Sequence, residues 1–476
     1  MNQAGGGNWT HAVSNDLVHW KHIVDALGRS SLNNWDEQGP CDGTASFPVL
    51  GGVYDGTVPV IMYGPDCSKP LKPGGSLGVG SGDAPRVEPA TPGDPSDPYL
   101  RSWIKTPGGP VTFTGTPCSF PGRVWKSKNK LAGKPYWNMI CGYDGSADHR
   151  HTDGVWARYT SSDPKLMSWQ LADASFAKGA PKGAPKADAG ALFHKIPGAP
   201  AGGPQFMINS NTGSNFYLGS YDSKKETMAI ETPLNVLDSG KTFHWAASGN
   251  DGPDPETDTG RLLIVAWLAT RPSAISLVRS VTYDAKTKQL VSNPVAEYIK
   301  LHNATFAKNT AFSSIDGGAK VTLPVPAAAG GALDLFVSFD TSTWQNAHKD
   351  FGVTVRSNMS LTFSITAPDA AGTRVASGTM LEIRDTRKEG IKFEMVKVLK
   401  GETLDVRMLV DRPIIEVFIQ GGRAAAVVQA PFSPTATAVE IFNDGPLPIY
   451  GVKNVSAFSM GCGWLGEGAP LPEPIA

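Results

Sequence analysis

Long apolar runs are missing from this chain. No uninterrupted stretch approaches the roughly 20 residues that a membrane-crossing helix needs, so no segment spans a bilayer as a helix. Charge is also sparse and balanced: Lys and Arg total 43 against 44 Asp and Glu, only 18% of residues are charged, and the formal net charge is −1. Without an excess of either sign there is no long-range pull towards phosphate backbones or anionic lipid, which sets nucleic acid and membrane surfaces aside as expected partners. Cysteine is limited to Cys41, Cys67, Cys118, Cys141 and Cys462. They form no CxxC pair and are too scattered for a zinc site, and their odd number leaves at least one without a partner in the chain. His11, His19 and His22 lie close together, but their aromatic and turn neighbours point to packing or capping. The GGSLGVGSG stretch lacks the strand and helix that a phosphate-cradling loop requires. Neither a metal nor a cofactor is implied. The opening residues, MNQAGGGNWTHAVS, lack the basic and apolar regions of a secretory signal. Two expectations follow: a cytosolic protein, or a longer one whose first piece precedes Met1.

Gly (53) and Pro (38) are abundant. Both break helices and populate turns, which favours a turn-rich, all-β protein. At 476 residues, roughly 150 residues per domain gives two or three domains. From Trp9 to about Leu301, short apolar segments such as VPVIMYG (58–64), YWNMICGYDG (136–145), QFMINS (205–210) and RLLIVAWLA (261–269) alternate with Gly, Pro, Asn and Asp clusters, the pattern of antiparallel strands. Two low-complexity stretches, residues 74–98 and 178–190, are expected to be surface loops because their composition buries little. The early SNDLVHWKHI carries at most one turn of helix. Beyond AEYIKLHNATF (296–306) the alternation is cleaner, as in DLFVSFD (334–340), SLTFSITA (360–367) and TLDVRMLVD (403–411). Strands at this spacing predict a two-sheet sandwich, with a boundary near residue 303.

The string NWTHAVSNDLVHWKHI (8–23) reads locally as a hairpin. It also resembles the tryptophan, histidine and aspartate signature of glycoside hydrolase family 32, the β-fructofuranosidases. YTSSDPKLMSW (159–169), FYLGSYD (216–222), HWAAS (244–248) and VDRPIIEVFIQGG (410–422) resemble further elements of that family, in order along almost the whole chain. The resemblance implies a five-bladed β-propeller over residues 1–300 followed by a C-terminal β-sandwich over 304–476. It also implies sucrose or a fructan as substrate and retaining hydrolysis, and a secreted or vacuolar location is common in the family. Oligomeric state is not legible.

Retaining hydrolysis needs two carboxyl groups roughly 5 Å apart, one attacking the anomeric carbon and one serving as acid and then base. In the family a third carboxylate holds fructosyl hydroxyls. The resemblance implies that the nucleophile strand would lie ahead of Met1, since Gln3 stands where the nearest superficial match would need Asp. The place of the middle carboxylate falls on Ser119-Phe120-Pro121-Gly122-Arg123-Val124-Trp125 and carries Pro121 or Gly122. The acid/base place falls on Asp188, one methylene shorter than Glu. Asp42 stands where the family has a small hydroxyl residue lining the fructosyl pocket. The expected catalytic residues are therefore Asp188 and Asp42. Trp35, Arg123, Trp245 and Asp222 are the expected substrate-binding set. Four of the six have a plainer alternative: a solvated loop for Asp188, an Asp-Gly turn for Asp42, a structural arginine for Arg123 and a turn for Asp222. Two interior departures at carboxylate positions leave open a β-fructofuranosidase with altered motifs and a non-catalytic carbohydrate-binding relative, with an unrelated five-bladed enzyme acting on another glycoside through reassigned carboxylates (Asp42, Asp144, Asp188, Asp222) ranked last.

Overall fold

A computed structural model describes residues 8–29, 40–47, 59–65, 87–106, 111–114, 118, 120–143, 155–180, 192–210, 214–240, 242–249, 255–256, 260–270, 274–326, 331–356, 359–384, 387–430, 438–466 and 468–472. Strands dominate; helix among these residues is confined to the 3-10 turns Ala296–Leu301 and Thr341–Thr343. Alternation in the sequence becomes alternation in burial. Leu262–Leu268 reads buried and half-buried in strict turn, and Met359–Ile365 alternates buried residues with half-buried or exposed ones, as period-two side chains on a pleated strand require.

Among the described residues, the N-terminal part makes five sheets in chain order. The first is the pair Ala12–Val13 and Lys21–His22. Its turn explains the SNDL string. Asp16 accepts the Val18 and His19 amides at 3.2 and 2.8 Å and the His19 ring Nδ1 at 2.9 Å, and Leu17 takes a φ of 65° to close the bend. Burial pushes the Asp16 carboxyl up, but these hydrogen bonds outweigh it and hold the group well below the usual carboxylate range. The segment is a bend and strand, without the helical turn that the sequence allowed.

The second sheet runs Pro40–Ser46, Val60–Pro65, Glu88–Pro92, Trp103–Lys105. Its third strand corrects the loop expected over 74–98: residues 74–86 lie outside the described residues, but Val87 to Ala90 are buried in the sheet. Proline is tolerated because ladder bonds need only its carbonyl where Pro89 accepts the Thr106 amide at 3.0 Å. Of the 178–190 stretch, Ala177–Lys178 is a short strand and residues 181–190 lie outside the described residues. The third sheet orders Phe120–Lys126, Trp137–Tyr143, Val155–Ser161 and Ser168–Asp173, with Thr112–Thr114 added in parallel. The fourth orders Phe193–Lys195, Phe206–Ser210, Asn215–Asp222 and Thr227–Ile230, with Ala177–Lys178 added in parallel. The fifth orders Phe243–Gly249, Leu262–Leu268, Arg279–Asp284 and Gln289–Pro294.

Each sheet packs on the next through its own apolar cluster. Leu27 and Trp9 meet Ile61 and Tyr63; Met62 meets Val124 and Met139; Trp125 and Trp156 meet Phe193 and Tyr217; Met207 and Leu218 meet Leu262 and Ile264. Val18 and Trp20, in the turn between the two strands of the first sheet, pack with Leu263 and Val265 of the fifth and with Val278 just ahead of Arg279–Asp284. A Cys118–Cys141 disulfide fastens the approach to the third sheet, and Cys462 is an exposed free thiol. Cys67 and the Cys41 side chain lie outside the described residues.

Among the described residues from His302 onward, two six-stranded sheets share one core that includes Leu335, Val337 and Phe339 from one sheet and Phe351, Val353 and Phe363 from the other.

Candidate active site

The second to fifth sheets each end on their leading strand: Pro40–Ser46, Phe120–Lys126, Phe193–Lys195 and Phe243–Gly249. Four of the expected site residues lie on these strands or just ahead of one of them in the sequence. Asp42 is on the first, Arg123 on the second and Trp245 on the fourth, and Asp188 precedes the third. The side chains of Asp42 and Trp245, and all of Trp35 and Asp188, lie outside the described residues.

Arg123 is placed by a bulge. Pro121 faces Cys141 and Val124 faces Met139, so three steps on one strand oppose two on its partner. Such an extra residue bends the strand and re-aims a side chain. Pro121 suits the position because it contributes no amide to the ladder. The guanidinium is buried, at 8% exposure, and crosses to the neighbouring leading strand. There Nη1 donates to the Phe193 carbonyl at 3.1 Å and stands 3.2 Å from His194 Nδ1. A guanidinium only donates, so Nδ1 accepts and the imidazole carries its proton on Nε2. The Val124 amide donates to Ser46 Oγ at 3.0 Å, tying the second and third sheets in the same way. The Leu192 amide donates to Asn209 Oδ1 at 2.8 Å, fixing the chain as it leaves the Asp188 segment and enters Phe193–Lys195.

Asp222 does not join this group. It is exposed at the end of Asn215–Asp222, where it accepts the Lys224 and Lys225 amides at 3.0 and 3.1 Å and pairs with Lys225 Nζ at 3.3 Å. The Lys225 amide is the main reason its carboxyl sits below the usual range. These are the bonds of a turn residue, so its plainer alternative describes its contacts. His194 was not singled out by the sequence, where FHK gives only a three-residue alternation. The available chemistry is a cationic donor and a neutral imidazole on adjacent strands, beside a bulge that holds no carboxylate at Pro121 or Gly122.

Residues 294–458 match the family described as Glycosyl hydrolases family 32 C terminal. The chain is 26% identical to acid beta-fructofuranosidase 4, vacuolar, of Arabidopsis thaliana, over 87% of this chain and 67% of that protein. It is 24% identical to sucrose:sucrose 1-fructosyltransferase of Festuca arundinacea, over 92% of this chain and 70% of that one. The fold is similar to that of fructan 1-exohydrolase IIa from Cichorium intybus, with a TM-score of 0.70 at 19% identity, covering 96% of this chain and 90% of the other.

Proposed function

Because the chain belongs to glycoside hydrolase family 32, we propose that residues 1–300 form a five-bladed β-propeller and residues 304–476 a β-sandwich, and that the propeller hub binds sucrose or a fructan through its fructosyl unit. The five packed sheets, with the turn of the first against the fifth, support the architecture. The leading strands then line the hub. Trp35 and Trp245 supply faces for the apolar side of a sugar ring, Arg123 is the proposed hydroxyl partner, and Asp42 and Asp188 are the proposed catalytic pair; Asp222, bonded within its own turn, is left out of the set.

One observation carries the choice between binding and hydrolysis: the Pro121-Gly122-Arg123 bulge, with Arg123 turned onto Phe193 and His194. At the place where the family holds fructosyl hydroxyls with a carboxylate, this chain has a cation engaged with its neighbour. An oxocarbenium-like transition state is stabilised by negative charge, and losing one such group costs on the order of 100-fold or more in rate. Recognition of sugar hydroxyls survives this exchange better than turnover does. The function supported best is therefore fructosyl-carbohydrate binding with hydrolysis strongly reduced. The second reading, a working hydrolase, is favoured by Asp188, which retains a carboxyl group just ahead of the strand that Arg123 contacts.

Incubation with sucrose, inulin and levan, with released fructose measured beside calorimetric titration, separates them. Binding without release above a blank is the expected result. Release abolished by both Asp188→Asn and Asp42→Asn establishes the hydrolase instead. Neither binding nor release overturns both readings.

A further inference from the structure

A cluster of ionised groups lies where the fifth sheet meets the C-terminal sheets, away from the residues assigned above. Arg279 has a wholly buried side chain. Its Nη2 and Nε donate to Glu416 Oε2 at 2.7 and 3.1 Å, and its Nη1 stands 2.8 Å from Asp238 Oδ2 in an ionic contact off the hydrogen-bond axis. Both carboxylates are buried too. The guanidinium lies 4.8 Å from the ring centres of Phe243, from the fifth sheet, and Phe418, from the C-terminal strand Ile414–Ile419. The cation is thus held between two aromatic rings and two carboxylates contributed by both halves of the chain.

What this cluster holds is the start of a leading strand. Asp238 Oδ1 accepts the Gly240 amide at 2.8 Å and the Val427 amide at 3.0 Å, and the Ser239 amide donates to the Ala425 carbonyl at 2.8 Å. Gly240 passes so near Val427 that a Cβ there would lie 2.1 Å from its carbonyl oxygen. Residues 238–240 are therefore fastened to Ala424–Gln429 immediately before the chain becomes Phe243–Gly249, the strand that carries Trp245. Glu416 completes the chain of contacts, since its Oε1 accepts the Leu277 amide at 2.6 Å. The ties described for the other leading strands run within the N-terminal sheets, between Val124 and Ser46 and between Arg123 and Phe193.

We infer that Arg279 is a positioning residue: through Glu416 on one side and Asp238 and Phe243 on the other, the C-terminal sheets set the placement of the strand bearing Trp245, and so contribute to ligand affinity at the hub without touching the ligand. The affinity part rests on the carbohydrate-binding reading proposed above; the placement of the strand does not.

The test uses the full chain carrying Glu416→Gln, which keeps the side chain's size and its acceptor for Leu277 but removes the carboxylate that holds Arg279. Arg279→Lys is the second variant should the first fail to fold. Val337→Ala, in the C-terminal core away from Arg279, is a control for general destabilisation. Amide hydrogen exchange followed by mass spectrometry is expected to accelerate roughly tenfold over residues 243–249, the scale of a coupling between distant sites, while residues 120–126 stay unchanged. Affinity for sucrose or inulin, read by calorimetry, is expected to fall by a similar factor, with Val337→Ala altering neither quantity. Unchanged exchange over 243–249, or an equal change in Val337→Ala, overturns the inference. If the unaltered protein binds neither carbohydrate, the carbohydrate reading fails, and the exchange comparison still decides the placement of the strand.

Discussion

Two buried charge clusters show how differently this chain manages the same problem. Between the third and fourth sheets, Glu226 accepts Ser127 Oγ at 2.5 Å, Tyr136 Oη at 2.7 Å, Asn138 Nδ2 at 2.7 Å and Arg158 Nη1 at 2.8 Å. It is one carboxylate matched by one cation and three neutral donors. At the junction with the C-terminal sheets, one cation serves two carboxylates, Asp238 and Glu416. The first arrangement gives a single acid enough donors to replace its water. The second leaves an excess of negative charge in a dry place and makes one arginine indispensable. Removing one member of a buried ion group leaves the others uncompensated, which costs far more than the intact group contributes.

That difference predicts an order of damage. Arg279→Met strands two buried carboxylates and is expected to lower unfolding free energy by roughly 3–5 kcal/mol. Glu226→Gln leaves an acceptor for part of the same donor set, and the expected loss is about 1–3 kcal/mol, the cost of unsatisfied buried donors. Denaturant unfolding of both variants under one condition checks the ranking. If Glu226→Gln is the more damaging, the shared arginine is not what distinguishes the two clusters.

Neither cluster was legible in the sequence, and the reason is physical. Strand periodicity is local, so RLLIVAWLA and SLTFSITA announce their buried faces. Glu416 and Arg279, however, are 137 residues apart, and nothing near Glu226, in a run of polar turn residues, marks it as buried. Composition misled where geometry prevailed: the Pro-rich Glu88–Pro92 looked like loop, yet it supplies the third strand of its sheet. At the candidate site, the motifs brought out Arg123 but not His194, because the contact joins two sheets rather than neighbours in sequence. Asp222 matched a motif and proved to have the hydrogen bonds of a turn, since a spacing pattern does not distinguish an acid that faces a pocket from one that closes a hairpin.

Acidity sharpens the comparison further. Burial pushes both Asp238 and Glu416 up from the ordinary carboxylate range, although Arg279 pulls each of them down. A carboxyl whose folded pKa is raised binds protons more readily folded than unfolded, so its contribution to stability is largest below the unfolded value and is lost as pH rises through the folded one. The stability of the unaltered chain relative to Glu416→Gln is therefore expected to grow as pH falls from neutrality towards the ordinary carboxylate range. Paired denaturation curves across that interval check the sign; a difference that shrinks on acidification contradicts it.

The smallest effect belongs to a third group with the same charge count in wetter surroundings. Arg423 donates Nε to Asp284 Oδ2 at 2.9 Å, Nη1 to Glu402 Oε2 at 2.5 Å and Nη2 to Glu402 Oε1 at 2.8 Å, again joining the fifth sheet to the C-terminal sheets. Here the carboxylate side chains keep 16% and 27% of their exposure. Water shares the cost of the charge, and both acids move the other way. Burial raises Asp284, but its bonds to Thr287 and Arg423 outweigh that and lower it; Glu402 is lowered chiefly by Arg423. Lowered carboxyls stabilise above their unfolded pKa and lose that contribution as pH falls through the folded value. Arg423→Met is expected to cost about 1–2 kcal/mol at neutral pH, with the penalty fading in acid as the two carboxyls take up protons. Unfolding of Arg423→Met and the unaltered chain at matched pH values reads both the size and the slope. A penalty that grows in acid would mean that burial, rather than pairing, governs this group as well, and the contrast with Arg279 would be lost.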